Sequence, residues 1–299
     1  MKTPLFIGSS VAIITPYTDT GVNYEKLAQV IDFQISGGSA AIIVNGTTGE
    51  CSTQGIDEHI EVVDFTVKHA AGRIKVIAGS GSNDTNAAVT MGKAAKASGA
   101  DGLLCVTPYY NRTTQLGLIK HYYHIADHVN LPIMIYHVPS RTTMTATAQT
   151  FYELSKHPYI NGVKEASKDV NLMTQTMALC ADDFYFWAGD DVYTVACMAL
   201  GGKGTVSVMG NFLPKVMAEL CDLCLKNDFK AARELSFKYA KLMDAMFIEV
   251  NPIPVKAAMN LLGMNVGGYR LPLCEIEPAH LEMLKNVMLE TGLDIVVQD

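Results

Sequence analysis

Ile74-Lys75-Val76-Ile77-Ala78-Gly79 is too apolar for a strand wetted on one face, and just beyond it Ala87, Met91, Ala94, Ala95 and Ser98 recur three or four residues apart. A continuous apolar strand followed by a helical period is the unit of a parallel sheet covered by helices. The same unit repeats outward in both directions. β-Rich runs stand at residues 10–15, 40–45, 75–79, 102–107, 133–137, 160–164, 184–188 and 204–208, with helical spacing between them, as in Tyr24, Leu27, Ala28, Ile31 and Ile35. Eight strand and helix units predict an α/β fold closed as a (β/α)8 barrel, and a doubly wound open sheet is the competing arrangement. Beyond the eighth run, residues 228–246 and 278–291 read as further helices. The expected organisation is a catalytic barrel over residues 1–225 and a C-terminal helical extension packed on it over residues 226–299, with no low-complexity linker between them.

The chain has 299 residues, 49% of them hydrophobic, and a formal charge of −7. That is enough to bury one large core. The negative balance without a basic cluster argues against nucleic acid and against an anionic membrane surface. Apolar runs such as Val11-Ala12-Ile13-Ile14 and Leu103-Leu104-Cys105-Val106 are far shorter than the roughly 18 residues that cross a bilayer. The start, Met1-Lys2-Thr3-Pro4-Leu5-Phe6-Ile7-Gly8, lacks the sustained apolar stretch of a secretory leader, so the expectation is an uncleaved, cytoplasmic chain. Seven cysteines, an odd number among apolar neighbours, suit reduced buried thiols. Cys221 and Cys224 form a C-x-x-C, but within a helical apolar stripe that reads as core packing.

In a barrel of this kind functional groups gather at the C-terminal ends of the strands. The second run ends in Asn45-Gly46-Thr47-Thr48-Gly49-Glu50, where two glycines permit close backbone approach and two hydroxyls flank the amides. Such a loop suits a small carboxylate, or is an ordinary strand-to-helix turn. The fifth run ends in Ile135-Tyr136-His137-Val138-Pro139-Ser140-Arg141, and alternation places Met134 and Tyr136 on one face. Tyr136 can then point into the barrel mouth, while Arg141 is either a carboxylate clamp or a solvated loop charge. The sixth run, Ile160-Asn161-Gly162-Val163-Lys164-Glu165, closes an apolar strand with a lysine that shares parity with Gly162. A lysine removed from water and set near another cation has a depressed pKa and can attack a ketone; one that snorkels to solvent does not. His121, His124 and His128 have a spacing that could offer metal ligands, yet Tyr122, Ile125 and Val129 form the apolar stripe of that helix, which puts the histidines on its wetter flank. Gly79-Ser80-Gly81-Ser82-Asn83-Asp84 lacks the third glycine and the lysine of a nucleotide loop.

Taken in order, Gly46-Thr47-Thr48-Gly49-Glu50, Val106-Thr107-Pro108-Tyr109-Tyr110-Asn111, Tyr136 through Arg141-Thr142, Gly162-Val163-Lys164-Glu165, Gly189-Asp190-Asp191 and Asn251-Pro252-Ile253-Pro254-Val255-Lys256 resemble the dihydrodipicolinate synthase family, within the N-acetylneuraminate lyase superfamily. The resemblance covers nearly the whole chain. It implies that Lys164 forms an imine with pyruvate, that the enamine attacks L-aspartate 4-semialdehyde, and that the product cyclises to 4-hydroxy-tetrahydrodipicolinate, an early step of lysine and diaminopimelate synthesis. Tyr136 would carry protons, with Thr47 and Tyr110 in the relay. Thr48 would hold the pyruvate carboxylate, Arg141 the carboxylate of the semialdehyde, and Gly189 and Val206 would line the pyruvate pocket. The family places the Tyr110 equivalent across a tight dimer interface, which implies a homo-oligomer, most often a tetramer built as a dimer of dimers. No metal or organic cofactor is implied.

The chain departs from the family pattern at His137, usually asparagine, and at Thr143, usually glycine. In the lysine-feedback pocket of sensitive members, His59, Asn83 and Tyr109 agree, while Cys51, Ile56 and Ala87 replace polar or acidic residues. Weak or absent inhibition by L-lysine is therefore expected. The alternatives are a lyase of the same superfamily cleaving N-acetylneuraminate or a 2-keto-3-deoxy sugar acid with the same Lys164 and Tyr136, and a non-catalytic barrel that keeps pyruvate affinity. The sugar-acid lyases generally lack an arginine at the position of Arg141 and often carry serine where Thr47 stands.

Overall fold

A computed structural model describes residues 1–296. Its eight central strands are β1 (Gly8–Ala12), β2 (Ala41–Val44), β3 (Lys75–Gly79), β4 (Gly102–Val106), β5 (Ile133–His137), β6 (Ile160–Glu165), β7 (Tyr185–Ala188) and β8 (Gly204–Ser207). All pair in parallel with their sequence neighbours, and β1 pairs with both β2 and β8, so the sheet closes. That closure decides between the barrel and the open sheet.

Alternation along the strands sorts the side chains into two layers. Ile43, Ile77, Leu104, Met134, Tyr136, Trp187 and Val206 fill the barrel interior. Ile42, Val76, Leu103, Cys105, Ile133, Ile135, Val163 and Phe186 face outward into the larger core against the helices. Both faces are dry, which is why the strands carry unbroken apolar runs. At the bottom, Phe6 stacks on Trp187 with ring centroids 5.2 Å apart, and the indole N–H donates to the Phe6 carbonyl at 3.2 Å. The residues before β1 thereby plug the end opposite the site.

The surrounding helices are α1 (Tyr24–Ser36), α2 (Ile56–Ala70), α3 (Thr85–Ser98), α4 (Gln115–Val129), α5 (Ala148–Ser155), α6 (Val170–Leu179), α7 (Thr194–Ala199) and α8 (Pro214–Leu225). Side-chain caps start several of them: Asn23 accepts from the Lys26 amide, Asp84 from Asn86 and Thr114 from Gly117. Then follow α9 (Phe229–Ala245), α10 (Ile253–Leu261) and α11 (Pro278–Glu290). α9 lies against α7 and α8, and α10 is buried nearly throughout, with Val255, Lys256, Ala258 and Met259 out of contact with water. No helix among the described residues is long and apolar enough to cross a membrane.

Two expectations shift in detail. The first apolar run outlasts its strand: β1 ends at Ala12, yet Ile13 and Ile14 remain buried because the Ile14 amide turns to the Asn211 side chain at 3.0 Å. In α4, His124 and His128 are on the exposed flank as the apolar stripe requires, but His121 turns inward, its Nδ1 2.9 Å from the Thr85 hydroxyl. Burial lowers its pKa to about 4, so His121 is a neutral ring in the packing between α3 and α4. Cys221 and Cys224 are free thiols buried on the inner face of α8.

Candidate active site

The strand register brings the expected groups together at the C-terminal mouth. Tyr136 on β5 is directly opposite Lys164 on β6, and Lys164 is opposite Trp187 on β7. Equal parity turns Tyr136 and Lys164 inward, and the Lys164 Nζ lies 4.2 Å from the Tyr136 ring centroid. Lys164 is 5% exposed, and among the described residues its Nζ has no hydrogen-bond acceptor. Burial, assisted by the Arg141 charge and opposed by Asp191 and Asp190, lowers its pKa to about 7. A large share of the amine is therefore neutral and nucleophilic near neutral pH. Burial also raises the Tyr136 phenol above its ordinary range, opposed by the Arg141 charge and the Thr47 hydroxyl, so Tyr136 holds its proton until a partner draws it off.

The loop after β2 crosses the mouth beside this pair. Asn45 (φ +54°) and Glu50 (φ +56°) bracket a single 3-10 turn, Thr47–Gly49. It lies so close to β3 that a Cβ at Gly79 would be 1.9 Å from the Asn45 carbonyl oxygen, which only glycine tolerates. Thr48 is buried, and its hydroxyl accepts from the Asn251 side-chain amide at 2.9 Å. Opposite, Pro139–Thr142 forms one helical turn that carries Arg141, whose guanidinium donates to the Asn251 carbonyl at 3.3 Å. Asn251, just before α10, touches both carboxylate-binding candidates.

A cleft of about 400 Å³ opens above, lined by Thr47, Tyr136, Arg141, His59, Ile56 and Tyr109 among others. Val206 is fully buried within the barrel interior. Gly189 follows β7, where its amide donates to the Glu165 carbonyl at 2.7 Å and a Cβ would lie 2.8 Å from that of Ala166. Its glycine is thus also demanded by the close passage of β6. Tyr110 stands apart from the others: it is 93% exposed at φ +64° and does not line the cleft.

Three neighbours were not singled out from the sequence as site residues. Asp191 is fully enclosed, its Oδ2 accepts the Val208 and Met209 amides at 3.1 and 2.8 Å, and burial raises its pKa to about 6. Beside it, Asp190 pairs with Lys168 at 3.0 Å. His137 faces away from the cavity and bridges the strand ends: its Nδ1 is 2.9 Å from both Glu165 oxygens, and its Nε2 accepts the Ala146 amide at 3.1 Å. The Nε2 contact assigns the proton to Nδ1. Gly189-Asp190-Asp191 was the only signal available for the first two.

A closed (β/α)8 barrel with a desolvated amine and a phenol side by side at its C-terminal mouth has the geometry of a barrel enzyme in which an amine can add to a carbonyl. The family model described as the dihydrodipicolinate synthetase family matches residues 5–290, and the chain belongs to that family. A 4-hydroxy-tetrahydrodipicolinate synthase from Thermoanaerobacter is 47% identical over 97% of this chain and 98% of its own. The crystal structure of dihydrodipicolinate synthase from Aquifex aeolicus superposes with a TM-score of 0.95 at 42% identity, covering 98% of this chain and all of the other. The enzyme from Cyanidioschyzon merolae, solved with lysine bound, gives a TM-score of 0.94 at 35% identity over 97% of this chain and 100% of its own.

Proposed function

We propose that this protein condenses pyruvate with L-aspartate 4-semialdehyde to give 4-hydroxy-tetrahydrodipicolinate, in lysine and diaminopimelate synthesis. The observation that carries the reading is the buried Lys164 amine against the Tyr136 ring in a chain related to such synthases along nearly its full length. The neutral amine adds to the pyruvate ketone, and loss of water gives the iminium. Loss of a proton from the pyruvate methyl gives an enamine, whose carbon bonds to the aldehyde carbon of the second substrate. Its own amine then displaces Lys164 from the imine carbon, closing the ring and freeing the enzyme. Tyr136 moves the protons in these steps, with Thr47 beside it; Thr48 holds the pyruvate carboxylate and Arg141 that of the semialdehyde. Gly189 and the buried Val206 bound the pyruvate end.

Tyr110 joins the relay from a second copy of the chain, in a homo-oligomer of the tetrameric, dimer-of-dimers kind. Its near-complete exposure on a positive-φ residue supports this reading, because a single copy gives it nothing to pack on. Residues 1–225 are read as the catalytic barrel, and the described residues from 226 to 296 as a helical extension on it. The lysine bound to the Cyanidioschyzon relative suggests a regulatory ligand, but here Ile56 lines the cleft and Ala87 replaces the acidic partner of its ammonium, so weak or absent inhibition is the reading for this chain.

The test is an assay of semialdehyde consumption with pyruvate, alongside pyruvate release from N-acetylneuraminate. Turnover of the first and none of the second is expected, with the first abolished in Lys164→Ala. Release from the sugar acid without semialdehyde turnover would transfer the chain to the sugar-acid lyases.

A further inference from the structure

Glu50 and Lys256 lie far apart in the chain yet form an ion pair at 2.7 Å with both side chains 0% exposed. The Lys256 ammonium also donates to the Thr15 carbonyl at 3.1 Å and to the Gly268 carbonyl, which occupies all three of its protons. Tyr17 and Tyr269 flank it with ring centroids 4.9 and 5.3 Å away. The second Glu50 oxygen accepts the Arg270 amide at 3.2 Å, and the Arg270 guanidinium goes on to grip Glu58. All three ammonium protons and both carboxylate oxygens are thus partnered. Apolar residues of similar volume commonly stabilise a core as well as a buried ion pair does, so stability alone gives little reason for this one.

Its position supplies a reason. Glu50 ends the turn that presents Thr47 and Thr48, and its amide donates to the Thr47 carbonyl at 3.0 Å. Thr15, held by Lys256 through its carbonyl, gives its hydroxyl to the Gly49 carbonyl at 2.7 Å. Asn251, just before α10 on which Lys256 sits, donates to the Thr48 hydroxyl at 2.9 Å. The turn is thus gripped at Thr48, Gly49 and Glu50, each grip leading back to the extension or to Lys256.

We infer that Lys256 and Glu50 are positioning residues for pyruvate: the pair fixes the Thr47–Thr48 turn where the substrate carboxylate binds, which makes the C-terminal extension part of the substrate site. The inference rests on Thr48 as the carboxylate ligand. It assigns to the pair an effect on pyruvate and not on the aldehyde, whose carboxylate is held from the other side of the mouth.

Lys256→Met alone leaves a buried carboxylate without its partner, so the informative protein carries Lys256→Met together with Glu50→Gln and loses both charges at nearly constant volume. Its thermal unfolding and the KM of each substrate are compared with wild type and with Thr48→Val. The expected result is a cooperative unfolding transition lowered by the Thr15 and Gly268 carbonyls left without their donor, in a protein still folded at the assay temperature, with a pyruvate KM raised roughly tenfold or more and a semialdehyde KM within about twofold. A folded double variant with wild-type pyruvate KM would overturn the inference. If the double variant does not fold, Glu50→Asp alone, which keeps the charge but is one methylene too short to reach Lys256 from the undisturbed turn, is read the same way, and an unchanged pyruvate KM overturns the inference. Thr48→Val separates the two layers of argument: an unchanged pyruvate KM there removes the carboxylate assignment itself, whereas a raised KM in Thr48→Val with none in the double variant removes only the positioning role.

Discussion

Lys164→Met should yield a protein that is more stable and inactive. In the wild type, burial takes the amine from 10.5 to about 7. At roughly 1.36 kcal/mol per pKa unit, that difference is on the order of 5 kcal/mol against the charged form. Because the folded-state pKa is lowered, the unfolded chain binds more protons between about 7 and 10.5, and stability rises with pH through that window. Below about 7 both states are protonated and the whole penalty stands; above 10.5 it is gone. Methionine keeps the apolar stem and drops the charge, and since Nζ has no protein acceptor among the described residues, no hydrogen bond is lost with it. Water reaching the site from the cleft reduces the penalty, so the expected gain at neutral pH is about 1–2 kcal/mol, the scale of a good stabilising substitution. Urea unfolding followed by circular dichroism at about pH 6, 7 and 9 measures it, with the gain largest at the two lower values and shrinking at the highest. A variant less stable than wild type at neutral pH, or a gain independent of pH, would refute the claim that Lys164 is held desolvated.

Tyr136→Phe should lower kcat by roughly 10²–10⁴-fold while changing the pyruvate KM little, as steady-state kinetics with both substrates will show. Arg141→Met should raise the semialdehyde KM at least tenfold, about 1.4 kcal/mol. Since Arg141 helps to lower the Lys164 pKa, the same variant should also move the acid limb of the pyruvate reaction to higher pH. L-Lysine should inhibit weakly or not at all; a dose-response curve with strong inhibition below about 1 mM, an affinity of roughly 4 kcal/mol, would contradict the reading of Ile56 and Ala87.

The barrel was legible because its signal is local. Each parallel strand is dry on both faces and so carries its own apolar run, and parity within the run already placed Tyr136 with Met134 and Lys164 with Gly162. The ends of the runs were less legible, since burial continues past the ladder wherever a side chain takes over the backbone bonds, as Asn211 does for Ile14. The short hairpin of Tyr17–Thr18 with Gly21–Val22 left no apolar pattern to read. The contacts that shape the site were hidden for a different reason. Glu50 meets Lys256 and Thr48 meets Asn251 across 206 and 203 residues of chain, and no periodicity reports on such pairs. Asn251 and Lys256 stand in the sequence only as parts of a motif, and their partners appear once α10 lies against the loop after β2. His137 likewise looked like a departure with no purpose until Glu165 and Ala146 were found on its two ring nitrogens.

The proposed mechanism turns on one covalent bond, the imine between Lys164 and pyruvate. Incubating the protein with pyruvate and borohydride, digesting it and locating the reduced adduct by mass spectrometry tests it directly. The predicted result is a single adduct on Lys164 that disappears in Lys164→Ala. A folded protein that gives no adduct, or one that carries it on another lysine, would contradict the imine mechanism.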